Sequence, residues 1–180
     1  MAGFEQLGED LIHEGPVFRV TIGQVRSPDG EILTREYVRH PGAVVVVPIV
    51  DGDVVLVRQY RAAIDRDLLE IPAGKRDVPG EPPAETAARE LREEVGLVAG
   101  SLTLLTEFFN TPGFSDEYSY CYLATDCAVV PMERQGAEEA HMEVVRLPLA
   151  DAVAQIASGV IDDAKTIIGI MLAQHRLASE

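Results

Sequence analysis

Hydrophobic positions in the first part of the chain are filled largely by strand-forming residues, broken by turn residues. Val17 to Arg26 and Glu31 to Arg39 are rich in β-branched and aromatic residues and flank the turn triplet Pro28-Asp29-Gly30, which predicts a hairpin. After Pro41-Gly42, the run Ala43 to Val50 is almost continuously apolar and predicts a strand covered on both faces. Asp51-Gly52 turns it into a further strand, Asp53 to Gln59. A short strand at Leu68 to Ile71 precedes a loop from Lys75 to Glu81. The pattern then changes. Pro83 to Val95 predicts a helix, with Pro82-Pro83 at its start, Gly96 as its stop, and Ala84, Ala88, Leu91 and Val95 as its apolar face. Strands follow at Leu102 to Phe109, Glu117 to Thr125 and Met142 to Leu147. Helices at about Leu149 to Ala157 and Asp163 to Leu177 close the chain, the last capped by Asp162 or Asp163 and carrying His175 and Arg176 near its negative end. This order predicts an α/β fold with helices packed on a mixed sheet.

Composition narrows the possibilities. The chain has 180 residues, enough for one domain with a small appended element. Fifteen Lys and Arg against 30 Asp and Glu give a net charge of −15, which argues against nucleic acid or a membrane surface as a partner. The longest apolar run is far too short to span a membrane, and the first residues lack a signal peptide's basic start and apolar stretch. Cys121 and Cys127 match no zinc spacing and are not placed to form a disulfide, so a cytoplasmic location is expected.

The chemistry concentrates around the first helix. From Glu81 to Glu94 there are five acids (81, 85, 90, 93, 94) and two bases (89, 92). Glu90, Glu93 and Glu94 stand at i, i+3 and i+4, so their carboxylates crowd one side of the helix. Like charges so placed repel unless a cation lies between them, and Mg²⁺ is typically held by a few carboxylates with substrate phosphates. The alternative is a solvated acidic face paired with Arg89 and Arg92.

The wider pattern, Glu81 followed by Arg89-Glu90-Leu91-Arg92-Glu93-Glu94-Val95-Gly96-Leu97, resembles the Nudix box of the Nudix hydrolases. Gly74 precedes Glu81 by six intervening residues where the family pattern has five, an insertion confined to the loop before the helix. Arg58-Gln59-Tyr60-Arg61, Leu69-Glu70-Ile71-Pro72-Ala73-Gly74, Pro112 sixteen residues beyond Gly96, and Gly159 to Thr166 resemble the ADP-ribose pyrophosphatase branch. The likeness spans roughly residues 35 to 175.

The resemblance implies an α/β/α Nudix sandwich with a mixed sheet over residues 40–180, and a small β element over residues 1–39 that joins a homodimer. It implies hydrolysis of ADP-ribose to AMP and ribose 5-phosphate with Mg²⁺, or Mn²⁺ in its place. The metal ligands would be Glu90, Glu93 and Glu94 with the Ala73 carbonyl, Glu93 sharing or bridging and counted with the catalytic residues. The base would be Glu138 or Glu139, in the acidic loop Ala137 to Glu143. Arg61 would meet the diphosphate, since a planar guanidinium matches phosphate oxygens. Glu70 and Glu117 would line the substrate pocket, and Arg35 would reach a partner's site. Glu81 and Arg89 would form a supporting pair, and Arg58 and Glu143 would be structural. Two other readings remain: a pyrophosphatase for another nucleoside diphosphate sugar or dinucleotide, and a non-catalytic binding module. The second is disfavoured because every box glutamate is present.

Overall fold

The computed structural model describes residues 3–133 and 141–179 and divides into two compact units, one of residues 1–42 with 108–119, the other of 43–107 with 120–180.

The first unit is a three-stranded antiparallel sheet, β1 (Glu5–Glu14), β2 (Arg19–Arg26) and β3 (Ile32–Arg39), in that order. The hairpin expected at 17–39 is present as β2 and β3. The strand β1 is an addition that patterning does not announce, because all ten of its residues are exposed and no buried face imposes alternation. Pairing holds it instead, with register shifts between Gln6 and Gly8 and between Leu11 and His13, and Glu9 Oε2 accepts from Arg39 Nη2 at 2.6 Å and Thr21 Oγ1 at 3.1 Å. Residues 108–119 join this unit through backbone bonds, Val38 N to Phe114 O at 2.8 Å and Asp116 N to Val38 O at 3.2 Å.

The second unit is built on a seven-stranded sheet. Its strands are β4 (Ala43–Val50), β5 (Asp53–Arg61), β6 (Arg66–Glu70), β7 (Ala73–Lys75), β9 (Ser101–Phe109), β10 (Tyr118–Thr125) and β12 (Glu143–Pro148), the outer ends of β9 and β10 belonging to the first unit. The central path runs β12-β5-β4-β10-β9, with β6 on β5 and β7 on β4. A two-stranded ladder joins β8 (Leu97–Val98) to β11 (Ala128–Val129).

The helix α1 (Pro83–Val95) covers one face: Val44 and Val46 of β4 share a core cluster with Ala87, Leu91 and Val95. The predicted apolar face is corrected here. Ala84 and Ala88 are exposed, and the buried stripe runs through Ala87, Leu91 and Val95 with Thr86 and the three glutamates beside it. Alanine is too small and indifferent to set the helix's rotation, whereas Leu91 and Val95 do so.

The helices α2 (Leu149–Ala157) and α3 (Ala164–Leu177) end the chain, and α3 packs on β4. A Cβ at Gly169 of α3 would come within 2.9 Å of Val47 and 2.8 Å of Ile71, so this helix lies very close to the strands. Covered by α1 through Val44 and Val46 and by α3 through Val47, β4 loses its alternation, as a strand buried on both faces does. Layers of helix, sheet and helix make this an α/β fold.

Candidate active site

Three local features put the box glutamates in place. First, α1 ends at Gly96, whose φ of +63° is left-handed and whose N–H bonds the carbonyls of Arg92 and Leu91. Second, β7 pairs with β4 in the register Val44 to Gly74 and Val45 to Ala73, which lays Ala73-Gly74 along the helix. Third, Gly74 has no side chain where Glu90 needs room. A Cβ there would fall 1.9 Å from the Cδ and Oε1 of Glu90.

Glu90, Glu93 and Glu94 are 7%, 7% and 5% exposed, so they do not form a solvated face. The N–H of Ala73 donates to Glu94 Oε2 at 3.0 Å, and Arg89 Nη1 donates to Glu90 Oε1 at 2.8 Å and Glu93 Oε2 at 3.0 Å. Arg89 also reaches Glu81 through Nε and Nη2, both at 3.4 Å. Thr86, wholly buried, gives its hydroxyl hydrogen to Glu81 Oε2 at 2.7 Å. Burial disfavours the charge on Arg89, but the Glu81 hydrogen bond and the charges of Glu90, Glu93 and Glu81 outweigh it and hold the pKa above the ordinary arginine value. The hydrogen bonds from Arg89 and Thr86 hold the Glu81 carboxyl below the usual range. Glu81 and Arg89 therefore brace the loop against the helix.

Arg61 ends β5 and grips Glu70 at the end of β6, Nε to Oε1 at 2.6 Å and Nη2 to Oε2 at 2.8 Å. Glu70 is 1% exposed, and both of its carboxylate oxygens are engaged by Arg61. The Glu70 hydrogen bonds raise the Arg61 pKa against the cost of burial, with added pull from the charges of Glu70, Asp163 and Glu94. Arg61 thus sits within the electrostatic reach of the box.

Arg35 and Glu117 belong to the first unit: Arg35 is exposed on β3 with Nη1 donating to the Thr34 carbonyl, and Glu117 lies 4.0 Å from His40 Nδ1. Glu138 and Glu139 lie outside the described residues. Arg58 pairs with Glu143 across β5 and β12 at 3.3 Å, a surface ion pair. Both cysteines are free; burial pushes the Cys121 thiol up to about 12, which leaves it no nucleophile. Composition and periodicity pass over Thr86, whose hydroxyl meets Glu81, and over Lys165 and Thr166, which reach Glu70 and Ile71 across 95 residues of sequence.

Oxygen-only donors suit a hard divalent cation, and the space left by Gly74 and the amide of Ala73 seat two of the three carboxylates. Among the described residues no three such side chains close into a ready cage. No described helix is long and apolar enough to cross a membrane.

Comparison with known proteins agrees with this geometry. The NUDIX domain model matches residues 39–168. The chain is 44% identical over 177 residues to an ADP-ribose pyrophosphatase of Mycobacterium tuberculosis, covering 98% of this chain and 85% of that protein. It is 38% identical over 173 residues to an ADP-ribose pyrophosphatase of Bacillus subtilis, covering 96% and 93%. A crystal structure of an ADP compounds hydrolase superimposes with a TM-score of 0.87 at 26% identity, covering 99% of this chain and 96% of that one. With its box glutamates buried between α1 and β7 and a family match across most of its length, this chain belongs to the Nudix family of hydrolases.

Proposed function

We propose that the protein hydrolyses ADP-ribose to AMP and ribose 5-phosphate with the help of Mg²⁺, for which Mn²⁺ can stand in. The observation that carries the reading is the buried trio Glu90, Glu93 and Glu94, with Glu90 against Gly74, Glu94 held by the Ala73 amide, and Glu90 and Glu93 bridged by Arg89. Two relatives named as ADP-ribose pyrophosphatases, similar over nearly the whole chain, support the choice of substrate.

Glu90, Glu93 and Glu94, with the Ala73 carbonyl, would hold the ion. When bound it neutralises the diphosphate, acidifies the attacking water and steadies the charge on the leaving phosphate. Arg61, oriented by Glu70, presents its fork to the diphosphate oxygens. Glu138 or Glu139 takes the proton as water oxygen bonds to one phosphorus and the bridging P–O bond breaks. Arg89 holds Glu90 and Glu93 in place.

The protein acts as a homodimer joined through residues 1–39, with Arg35 contributing to the partner's site. The exposed apolar residues in and flanking the strands of the first unit, Phe4, Leu11, Ile12, Phe18 and Ile32, support this reading. Light scattering tests it: about 39 kDa means a dimer, and the chain mass of 19.5 kDa refutes it.

The function is tested by product chromatography after incubation with ADP-ribose, UDP-glucose, GDP-mannose and NADH, each with and without Mg²⁺. AMP and ribose 5-phosphate formed fastest from ADP-ribose, and only with metal, is the expected result. Faster turnover of another compound overturns the substrate. In the Glu94→Gln variant turnover falls by roughly 10²-fold or more with the fold intact, and near-normal activity overturns the metal assignment.

A further inference from the structure

An alternating chain of charge connects the last helix to Arg61. Asp163 caps α3, its Oδ2 accepting from the N–H of Thr166 at 2.9 Å and from the Thr166 hydroxyl at 2.7 Å. Its Oδ1 lies 2.7 Å from Lys165 Nζ, and Nζ lies 3.7 Å from Glu70 Oε2. Glu70 in turn holds Arg61 by two hydrogen bonds. The sequence of charges is therefore helix N-terminus, Asp163, Lys165, Glu70, Arg61, with each sign facing its opposite.

Exposure sets the direction of this chain. The side chains of Asp163, Lys165 and Glu70 are 10%, 21% and 1% exposed, whereas Arg61 is 39% exposed. Four charges sum to zero, but the anionic end is anchored on the positive end of a helix and the cationic end reaches solvent. Nε and Nη2 of Arg61 are engaged by Glu70, and the Nη1 edge makes no hydrogen bond among the described residues. A backbone clamp runs in parallel: Thr166 Oγ1 accepts from the N–H of Ile71 at 3.0 Å, tying the turn that holds Lys165 to the residue after Glu70. Without Lys165, Glu70 would be a buried anion whose charge Arg61 alone must neutralise, which favours a tighter and differently aimed grip on Arg61.

We propose that Lys165 and Asp163 are positioning residues for the diphosphate of the substrate: acting through Glu70, they aim the Nη1 edge of Arg61 at it. This rests on the reading that Arg61 meets the diphosphate. Neither residue touches substrate; both set how much of the Arg61 charge, and which edge of its fork, is available.

The test is a double-mutant cycle of Lys165→Met with Arg61→Lys in the full chain. It is read by kcat, KM, thermal unfolding and calorimetric binding of a methylene-bridged ADP-ribose analogue that cannot be hydrolysed. Lys165→Met alone should raise Kd and KM by about five- to tenfold with kcat within about twofold. In the Arg61→Lys background it should add less than about twofold, and Lys165→Arg should restore most of the loss. Equal factors in both backgrounds, or a lowered Tm with unchanged Kd, overturn the proposal. Should Lys165→Met fail to fold, Asp163→Asn takes its place in the cycle with the same expectations. If the wild-type protein neither binds nor cleaves ADP-ribose, the functional reading falls; the cycle repeated with inorganic pyrophosphate then decides the positioning role alone, by the same criteria.

Discussion

Replacing Gly74 by alanine isolates the contact on which the site depends. The φ of Gly74 is outside the left-handed region, so the backbone accepts alanine and only the new methyl group matters. That methyl would lie 1.9 Å from the Glu90 Cδ and Oε1 and 2.4 Å from its Cγ. Ordinary contact begins at about 3.5 Å, so the carboxylate must retreat by about 1.5 Å or β7 must lift from β4. Either movement overpacks a buried site at a cost of roughly 1–3 kcal/mol. For a chain of this size that lowers Tm by roughly 3–10 °C. Displacement of a catalytic group by about 1 Å costs on the order of 10²-fold in rate, and that is the expected fall in kcat/KM for ADP-ribose.

The assay pairs thermal melts with initial rates across a Mg²⁺ titration, and adds Glu90→Ala as a background. Alanine at position 90 has no Cγ or Cδ to strike, so there Gly74→Ala should cost less than about 0.5 kcal/mol. A Gly74→Ala protein with wild-type melting and kcat/KM would refute the reasoning, since Glu90 could not then lie against the glycine. An equal loss of stability in the Glu90→Ala background would refute it too, by placing the strain in the backbone.

Arg89→Met should destabilise the protein by roughly 3 kcal/mol or more in urea unfolding, because Glu81, Glu90 and Glu93 lose their shared cation while largely buried. Mg²⁺ should raise the midpoint of this variant more than that of the wild type; no destabilisation would contradict the bracing role. The carboxyls of Asp163 and Glu81 titrate below their ordinary values of 3.8 and 4.5, Asp163 because Lys165 and Thr166 outweigh burial, Glu81 through the hydrogen bonds of Arg89 and Thr86. Groups with lowered native pKa stabilise fully above their unfolded values and lose that contribution as pH falls through the native ones. The urea midpoint should therefore drop as pH is lowered from about 5 toward 3. Asp163→Asn should flatten part of that slope, and an unchanged slope would count against the ion pair.

What the sequence reveals follows from how local each cause is. The bounds of α1 are legible because Pro83 and Gly96 punctuate it and the helical period fills it, and the Ala43 to Val47 run announces burial on both faces. The two- and three-residue strands β7, β8 and β11 are too short to carry a period. The rotation of α1 is misjudged from its alanines, since Ala84 and Ala88 take no side in the packing. The grouping of Glu90, Glu93 and Glu94 is readable from spacing, but their burial depends on β7, which pairing with β4 creates. Glu70 shows the limit most plainly. Its place in the lead-in to the box suggests contact with substrate, whereas its partners Arg61 and Lys165 stand 9 and 95 residues away, and only the fold brings the latter to it.

Charge bookkeeping across the site leads to one more expectation. The chain carries −15 overall, yet its proposed substrate is itself an anion. Among the described residues, three cations near the box are set against carboxylates, Arg61 on Glu70, Arg89 on Glu81, Glu90 and Glu93, and Lys165 on Glu70 and Asp163, while a fourth, Arg76, stacks on the Tyr120 ring within electrostatic reach of Glu81. With Glu94 added, acids outnumber bases there, so the protein alone offers the diphosphate a net negative field. The arginines can give direction but not the reversal of sign, which must come from a divalent cation. Binding of the methylene-bridged analogue, followed by calorimetry, should therefore be weak in EDTA and strengthen by at least about tenfold with saturating Mg²⁺. Glu94→Gln should shrink that gain while leaving the metal-free affinity equal or slightly improved, because it removes one repelling charge. An analogue affinity indifferent to Mg²⁺ would mean that the arginines alone overcome the acidic field, and the division of labour between fork and ion would have to be abandoned.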